Sequence, residues 1–276
     1  MPPKTARKPP YSNPDSALTP PLKWAGGKRW LLPFLKPLWQ DFRNYRLVEP
    51  FCGGLAVALG LNPASALLND INPHAINFYR QLQRGLSITI DVRNDETLYY
   101  LHRDAFNQLI ERGNAETKEA AQYFYYLNRT GYNGLCRFNS RGLFNVPYGS
   151  YKTIGYAVDF SKYQSALSRW EFVCGDFESI LPERKDFIYA DPPYDVEFRH
   201  YSKEGFSWES QERLAEWLAQ YKGPVIASNQ ATPRILKLYR RLGFKVVVKK
   251  APRMISCTGD RKPAEEMLAM RGPGLL

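Results

Sequence analysis

Histidine and cysteine are scarce in this 276-residue chain, and neither is spaced for chemistry. The three histidines, His74, His102 and His200, show no ligand spacing, and the four cysteines, Cys52, Cys136, Cys174 and Cys257, form no C-x-x-C pair. That argues against a zinc site or a disulfide framework and predicts reduced, packed thiols in a cytosolic protein. No apolar run reaches the ~18 residues that a membrane span needs. The start, MPPKTARKPPYSNPDSALTPP (residues 1–21), is basic and Pro-rich with no apolar leader, and reads as a disordered tail. Neither G-x-G-x-x-G nor G-x-x-x-x-G-K-[ST] occurs, which disfavours NAD and FAD and removes a P-loop. Acid is in deficit too: 27 Asp and Glu against 38 Lys and Arg leave a net charge of +11. A cytoplasmic protein with no membrane association and a polyanionic partner is the expectation.

What is present is patterned as α/β. YRLVEPFCGGLAVALGL (45–61) reads as a short strand, a glycine turn at Gly53-Gly54 and an apolar helix. ASALLNDINPHAINFYRQL (64–82) repeats the theme, with Asp70 at the strand tip and a helix after Pro73. Two such units in series predict a parallel, doubly wound sheet. From about residue 75 the character changes to a helix closed by Gly131, then YNGLCRFNSRGLFNVPYGSYK (132–152), rich in Gly, Asn and aromatics and free of acids. The sheet pattern resumes at WEFVCGD and DFIYAD, followed by an amphipathic helix, the strand PVIASN, a helix and the strand FKVVVKK.

FIYADPPYD (187–195) runs an apolar strand into an acid, two prolines and a tyrosine. Neither proline can donate to a sheet ladder, so the strand ends there. In an open α/β sheet that carboxyl end is where ligands bind. Taken alone, the stretch reads equally well as a Pro-Pro turn with a solvated Asp. Asp70 likewise fits two roles, a turn or cap residue or an acceptor for two ribose hydroxyls. Beside a glycine turn that admits no pyrophosphate motif, the second role suits S-adenosylmethionine (SAM).

LKWAGGK, VEPFCGG, NDIN, GYNGLCRFNSRGLFNVPYG and ADPPY occur in that order. Together they resemble the Dam-type DNA adenine N6-methyltransferases of the D12 class, with the glycine motif ahead of DPPY. The resemblance runs from about Leu22 to Arg271. One position departs from the pattern: Leu55 stands where the family has a second glycine.

The resemblance implies an α/β fold: a Rossmann-like SAM-dependent methyltransferase sheet with an inserted, mainly helical DNA target-recognition domain carrying a β-hairpin. Residues 22–74 and 160–276 would form the discontinuous catalytic domain and 75–159 the recognition domain. Asp191 and the Pro192 carbonyl would accept the two N–H bonds of the adenine amine, and Tyr194 would stack on the base. Trp24, Lys28, Gly53, Gly54, Asp70, Asp176 and Asp191 would contact SAM. For double-stranded DNA, Tyr132 would intercalate, Asn133 hold the orphaned base, Leu135 and Pro147 touch a thymine methyl, and Arg137 and Lys23 read guanines. The implied reaction is methylation of adenine N6 after base flipping, within GATC, by a monomer that needs no metal and no protein partner. An RNA or protein-amide methyltransferase and a catalytically inactive DNA-binding regulator are the competing expectations, with an NAD-dependent dehydrogenase more distant.

Overall fold

Arg46–Glu49 (β1) and Ala66–Asp70 (β2) are short strands whose side chains alternate between the two faces of one sheet. A computed structural model describes residues 18–195, 206–251 and 264–275 of the chain. The expected tail up to residue 17, together with His200 and Cys257, lies outside these residues. Before β1 comes helix α1 (Leu32–Gln40). The glycine turn leads from β1 into the six-residue α2 (Ala56–Leu61), and Pro73 opens α3 (Pro73–Gln83) after β2. The Asn72 side chain caps α3 by accepting from the amides of His74 and Ala75.

Two longer helices follow, α4 (Glu96–Glu111) and α5 (Lys118–Thr130), capped by Asp95 and Thr117. Helix α6 (Ser161–Leu167) returns the chain to β3 (Trp170–Cys174) and β4 (Asp186–Ala190). The rest alternates: α7 (Trp208–Gln220), β5 (Val225–Gln230), α8 (Pro233–Arg241), β6 (Lys245–Ala251) and β7 (Ala264–Arg271). The seven strands form one sheet in the order β3-β2-β1-β4-β5-β7-β6. β1 to β5 run parallel, and β7 is antiparallel to both its neighbours. The doubly wound expectation holds, and β7 is an element the sequence reading did not foresee.

Both faces of the sheet are buried, as parallel sheets require. Leu47, Leu68, Phe187, Tyr189, Ile226 and Leu268 point to one side, into a core they share with α1, α2, α3 and α5. Val48, Ile188, Ala190, Val225, Ala227 and Met267 point to the other, against α7 and α8. The first of these cores continues from Phe187 through Phe78 and Tyr125 to Phe144, so residues 84–160 share it with the sheet. Phe78 of α3 stacks on Tyr125 of α5 at 5.5 Å. A domain boundary near residue 75 falls inside α3. Among the described residues no helix is long and apolar enough to cross a membrane.

Candidate active site

The glycine turn is built against a tryptophan. Gly53 has φ +45°, and a Cβ on it would come within 2.7 Å of Trp24 Nε1; a Cβ on Gly54 would meet Trp24 Cβ at 2.8 Å. No side chain fits at either position. Asp70 holds the turn from the next strand: Gly53 N–H donates to its Oδ2 at 2.9 Å and Asn72 N–H to its Oδ1 at 2.9 Å. Burial raises the Asp70 carboxyl and these amides pull it back. Leu55, where the family has glycine, adopts the left-handed conformation with φ +62° and is fully buried. Trp24, Gly53, Gly54 and Asp70 therefore stand together, and next to Asp70 the side chain of Ile71 is 74% exposed. Bare backbone, an aromatic ring, a carboxylate and an uncovered apolar side chain fit a nucleoside.

Side-chain parity carries four polar residues to one face of four neighbouring strands. Glu49 of β1 shares the side of Leu47, Asp191 that of Tyr189, Ser228 that of Ile226, and Glu266 that of Leu268. Lys28 lies among them, 3% exposed, with Nζ 3.0 Å from Asp191 Oδ1 and 3.5 Å from Glu266 Oε1. The same ammonium donates to the Gly26 carbonyl at 2.8 Å and sits 4.6 Å from the centre of the Tyr194 ring. Two carboxyls, Asp191 and Glu266, thus flank one ammonium, and the buried Glu49 lies close enough to Asp191 to feel its charge. Burial raises all of them; Asp191 raises Glu49 further, and Lys28 restrains Asp191 and Glu266. Oxygens of Glu49, Glu266 and Tyr194 are buried without a well-formed hydrogen bond among the described residues, although Tyr194 and Glu266 interact with each other and Glu266 keeps its ion pair with Lys28. Such orphans are costly unless a ligand completes them. An excess of buried acid with spare acceptors suits a cationic ligand with a polar end, so the sulfonium and ammonium of SAM fit these residues.

Asp191 is partitioned. Its Oδ1 accepts from Ser228 Oγ at 2.8 Å as well as facing Lys28, while its Oδ2 has no partner among the described residues. The Pro193 carbonyl accepts from Gln211 Nε2 at 2.9 Å. The Pro192 carbonyl has no donor among the described residues. Among the described residues, one carboxylate oxygen and one carbonyl of consecutive residues at the end of β4 have no donor, and the side chain of Asp191 is 20% exposed. Those are two acceptors with no competing donor among these residues.

The basic, aromatic segment lies after α5. It is less of a hairpin than expected: among the described residues its antiparallel pairing consists of isolated bridges, Gly131 with Tyr148 and Phe138 with Phe144. A stack of the His74 ring on Phe138 at 4.7 Å fixes it to α3. Tyr132 is half exposed, Asn133 adopts φ +52°, and Arg137 and Pro147 face solvent. Leu135 packs partly against the core. Arg137 donates from Nε to Asn145 Oδ1 at 2.8 Å and from a terminal nitrogen to the Asn145 carbonyl at 3.0 Å. Lys23 ties the glycine-rich start to this segment: its Nζ donates to the Arg129 carbonyl at 2.5 Å and lies 3.7 Å from the centre of the Tyr151 ring. Burial and the nearby Arg129 charge lower its ammonium to about 8.

Asp176 is the expected cofactor residue farthest in role from Asp191. It caps a 3-10 turn, accepting from Glu178 N–H at 3.0 Å, and pairs with Arg213 at 3.1 Å. Its neighbour Gly175 donates to the Asp70 carbonyl at 3.3 Å, so Asp176 sits on the Asp70 side. The sequence reading missed Glu49, Gln211, Ser228, Asn229 and Glu266. The available signal was a polar residue inside a buried apolar run, as in RLVE, VIASNQ and AEEMLAMR.

The model of the family described as D12 class N6 adenine-specific DNA methyltransferase matches residues 24–255. The chain is 37% identical over 265 residues to the Retron Ec67 DNA adenine methylase of Escherichia coli, covering 91% of this chain and 90% of that one. It is 36% identical over 275 residues to a DNA adenine methylase of Vibrio cholerae serotype O1, covering 92% and 96%. To the DNA adenine methylase of Escherichia coli K12 it is 34% identical over 281 residues, again covering 92% and 96%.

Proposed function

From the premise that the chain belongs to the D12 class N6 adenine-specific DNA methyltransferases, we propose that it methylates a flipped-out adenine within GATC in duplex DNA, acting as a cytoplasmic monomer. Methylation of DNA adenine is the family's reaction and SAM its methyl donor. The observation that carries the site assignment is the pair of acceptors without a donor among the described residues, Asp191 Oδ2 and the Pro192 carbonyl, together with a glycine turn pressed on Trp24.

Adenine N6 is a weak nucleophile because its lone pair is delocalised into the ring. Accepting both N–H bonds lets Asp191 Oδ2 and the Pro192 carbonyl hold the nitrogen pyramidal, with its lone pair localised and aimed. When bound, SAM supplies a methyl group on a sulfonium, whose C–S bond breaks as the N–C bond forms and leaves the electron pair on sulfur. Asp191 Oδ2 takes the N6 proton that the product must lose and passes it to water. This is catalysis by positioning and preorganised charge. Trp24, Gly53, Gly54 and Asp70 would hold the nucleoside end of the cofactor, Asp176 would add an acceptor on the Asp70 side, and Lys28 would serve its charged end. Tyr194 would stack on the target base.

An adenine inside a duplex is out of reach, and extruding it costs a few kcal/mol. The exposed ring of Tyr132, with Asn133 in a left-handed turn next to it, supports a wedge that fills the vacated stack. Residues 75–159 would form the recognition region. Lys23, Leu135, Arg137 and Pro147 would read the site, an Arg fork on guanine giving ~1–3 kcal/mol of discrimination. GATC is supported by the match of YNGLCRFN to the family's recognition segment.

The test is modification-sensitive sequencing of unmethylated DNA incubated with SAM and the protein, with Asp191→Ala alongside. The expected outcome is N6-methyladenine confined to GATC and absent with the variant. Methylation in another motif would refute the GATC assignment, and a folded Asp191→Ala protein with wild-type turnover would refute the site.

A further inference from the structure

Among the described residues, two acceptors at the end of β4 are left without a donor because Ser228 of β5 and Gln211 of α7 engage their neighbours. Continuing the β4–β5 register, in which Tyr189 pairs with Ile226 and Ala190 with Ala227, sets Ser228 beside Asp191 and on the same face. Ser228 is fully buried, so its hydroxyl must find partners within the chain. It has one hydrogen, and that hydrogen goes to Asp191 Oδ1 at 2.8 Å. The Tyr189 hydroxyl, 3.0 Å from Ser228 Oγ, then has to be the donor to Ser228. The result is a chain of one direction, Tyr189 O–H to Ser228 O–H to Asp191 Oδ1, in which each bond polarises the next.

The following residue does the equivalent on the opposite face. Asn229 Nδ2 donates to Gln211 Oε1 at 2.9 Å, and Gln211 Nε2 donates to the Pro193 carbonyl at 2.9 Å. Both side chains are fully buried. Asn229 thereby orients the Gln211 amide so that its nitrogen, not its oxygen, meets the loop. Of the acceptors that a substrate amine could meet at Asp191-Pro192-Pro193, Asp191 Oδ1 and the Pro193 carbonyl are committed, and among the described residues Asp191 Oδ2 and the Pro192 carbonyl have no donor.

We propose that Ser228, oriented by Tyr189, is a positioning residue that fixes the rotamer of Asp191 and reserves Oδ2 for the adenine amine, with Asn229 and Gln211 reserving the Pro192 carbonyl in the same way. This rests on the adenine methyltransferase reading of the site. The groups that face Asp191 are Lys28, Glu49 from β1, Tyr189 from β4, Tyr194 from the following loop, Ser228 from β5 and Glu266 from β7. Of these, Lys28 and Ser228 stabilise the carboxylate form. Ser228→Ala leaves Lys28 in place and removes only the hydroxyl donor.

The test compares wild type, Ser228→Ala, Ser228→Thr and Tyr189→Phe in single-turnover methylation of duplex DNA with saturating SAM, as a function of pH. For Ser228→Ala we expect a rate about tenfold lower, KM for DNA and SAM in parallel steady-state assays within about twofold, and an acidic limb displaced upward by about one pH unit, the scale of one lost hydrogen bond to a carboxylate. Tyr189→Phe should move both in the same direction by less, and Ser228→Thr, which keeps the hydroxyl, should restore the limb. Ser228→Ala with a wild-type rate and an unmoved limb would overturn the proposal, as would a loss of rate with no limb shift that Ser228→Thr fails to rescue. A carboxyl carbon-13 titration of Asp191 in wild type and Ser228→Ala reads the same displacement without substrate. It therefore separates failure of this inference from failure of the adenine reading, which a lack of any methyl transfer by wild type would show. For the second arm, Gln211→Met, which cannot donate to Pro193, should lower the rate without moving the limb; an unchanged rate would remove Asn229 and Gln211 from the proposal.

Discussion

The ammonium of Lys28 stands 3.0 Å from one oxygen of Asp191 and 3.5 Å from Glu266, nearly sealed from water, and is the cation shared by these two carboxyls on the active face of the sheet. The arrangement binds the glycine-rich start of the chain to the ends of β4 and β7. It also leaves the site with more acid than base, the balance that a sulfonium restores.

Lys28→Met should therefore be costly in a way that depends on pH. Breaking a buried pair by deleting one partner leaves an uncompensated charge and costs about 3 kcal/mol or more. The carboxyls of Glu49, Asp191 and Glu266 are raised in the fold, so the folded state takes up protons and gains stability as pH falls. The deficit of Lys28→Met in urea unfolding should be largest near pH 8 and shrink toward pH 5. A deficit independent of pH would show that the lysine acts by packing alone.

Leu55 sets two known effects against each other. A left-handed conformation costs a non-glycine residue about 1–2 kcal/mol, and Leu55 has φ +62°. Removing a fully buried leucine side chain costs about 2–5 kcal/mol. The burial lost outweighs the strain relieved, so Leu55→Gly should lose about 2 kcal/mol in urea unfolding. A stabilised Leu55→Gly would show that the turn stores more strain than the side chain's packing returns.

The legibility of this protein follows the reach of each interaction. The glycine turn, Asp70 and Asp191-Pro192-Pro193 were readable because they are consecutive residues with restricted backbones, and the structure places them at the carboxyl ends of β1, β2 and β4. Ser228 and Asn229 were hidden inside VIASNQ, where polar residues in a strand give no hint of facing a loop across the sheet. Glu266 was hidden more deeply, because β7 enters the sheet antiparallel between β5 and β6, a placement decided by long-range pairing. The Asn-rich segment suggested a regular hairpin, yet its described pairing is two isolated bridges braced by His74 and the core.

His74 links that segment to acid stability. Its ring is buried among Phe106, Phe124 and Phe138, with Nδ1 unpaired among the described residues, and burial lowers it to about 4. An unfolded histidine titrates near 6.5. Its folded value is depressed, so the stability is whole above about 6.5 and is lost as pH falls toward 4, by about 3 kcal/mol in all. His74→Phe keeps an aromatic ring that cannot titrate. Between pH 6.5 and 4 the variant should lose less stability than wild type in urea unfolding; parallel curves would mean that His74 is not the group taking up the proton.

Gly53 and Gly54 allow the cofactor turn to be tested by sterics alone. In Gly53→Ala the new Cβ would lie 2.7 Å from Trp24 Nε1, on a backbone with φ +45°. The indole can escape only by swinging off the turn, which removes the aromatic wall beside Asp70. In Gly54→Ala the clash at 2.8 Å is with Trp24 Cβ, which moves only if the backbone of the glycine-rich start moves, and no left-handed strain is added. Titration calorimetry with SAM should show Gly53→Ala weakened at least about tenfold, since ~1.4 kcal/mol of lost fit is enough for that factor. Gly54→Ala should weaken binding too, while also loosening the Lys23 contacts at Arg129 and Tyr151 that the same segment carries. If folded Gly53→Ala binds SAM as wild type does, the turn is a structural corner and the cofactor lies elsewhere; if both variants lose binding while Asp191→Ala keeps it, the Trp24 turn holds the cofactor and Asp191 belongs to the methyl transfer.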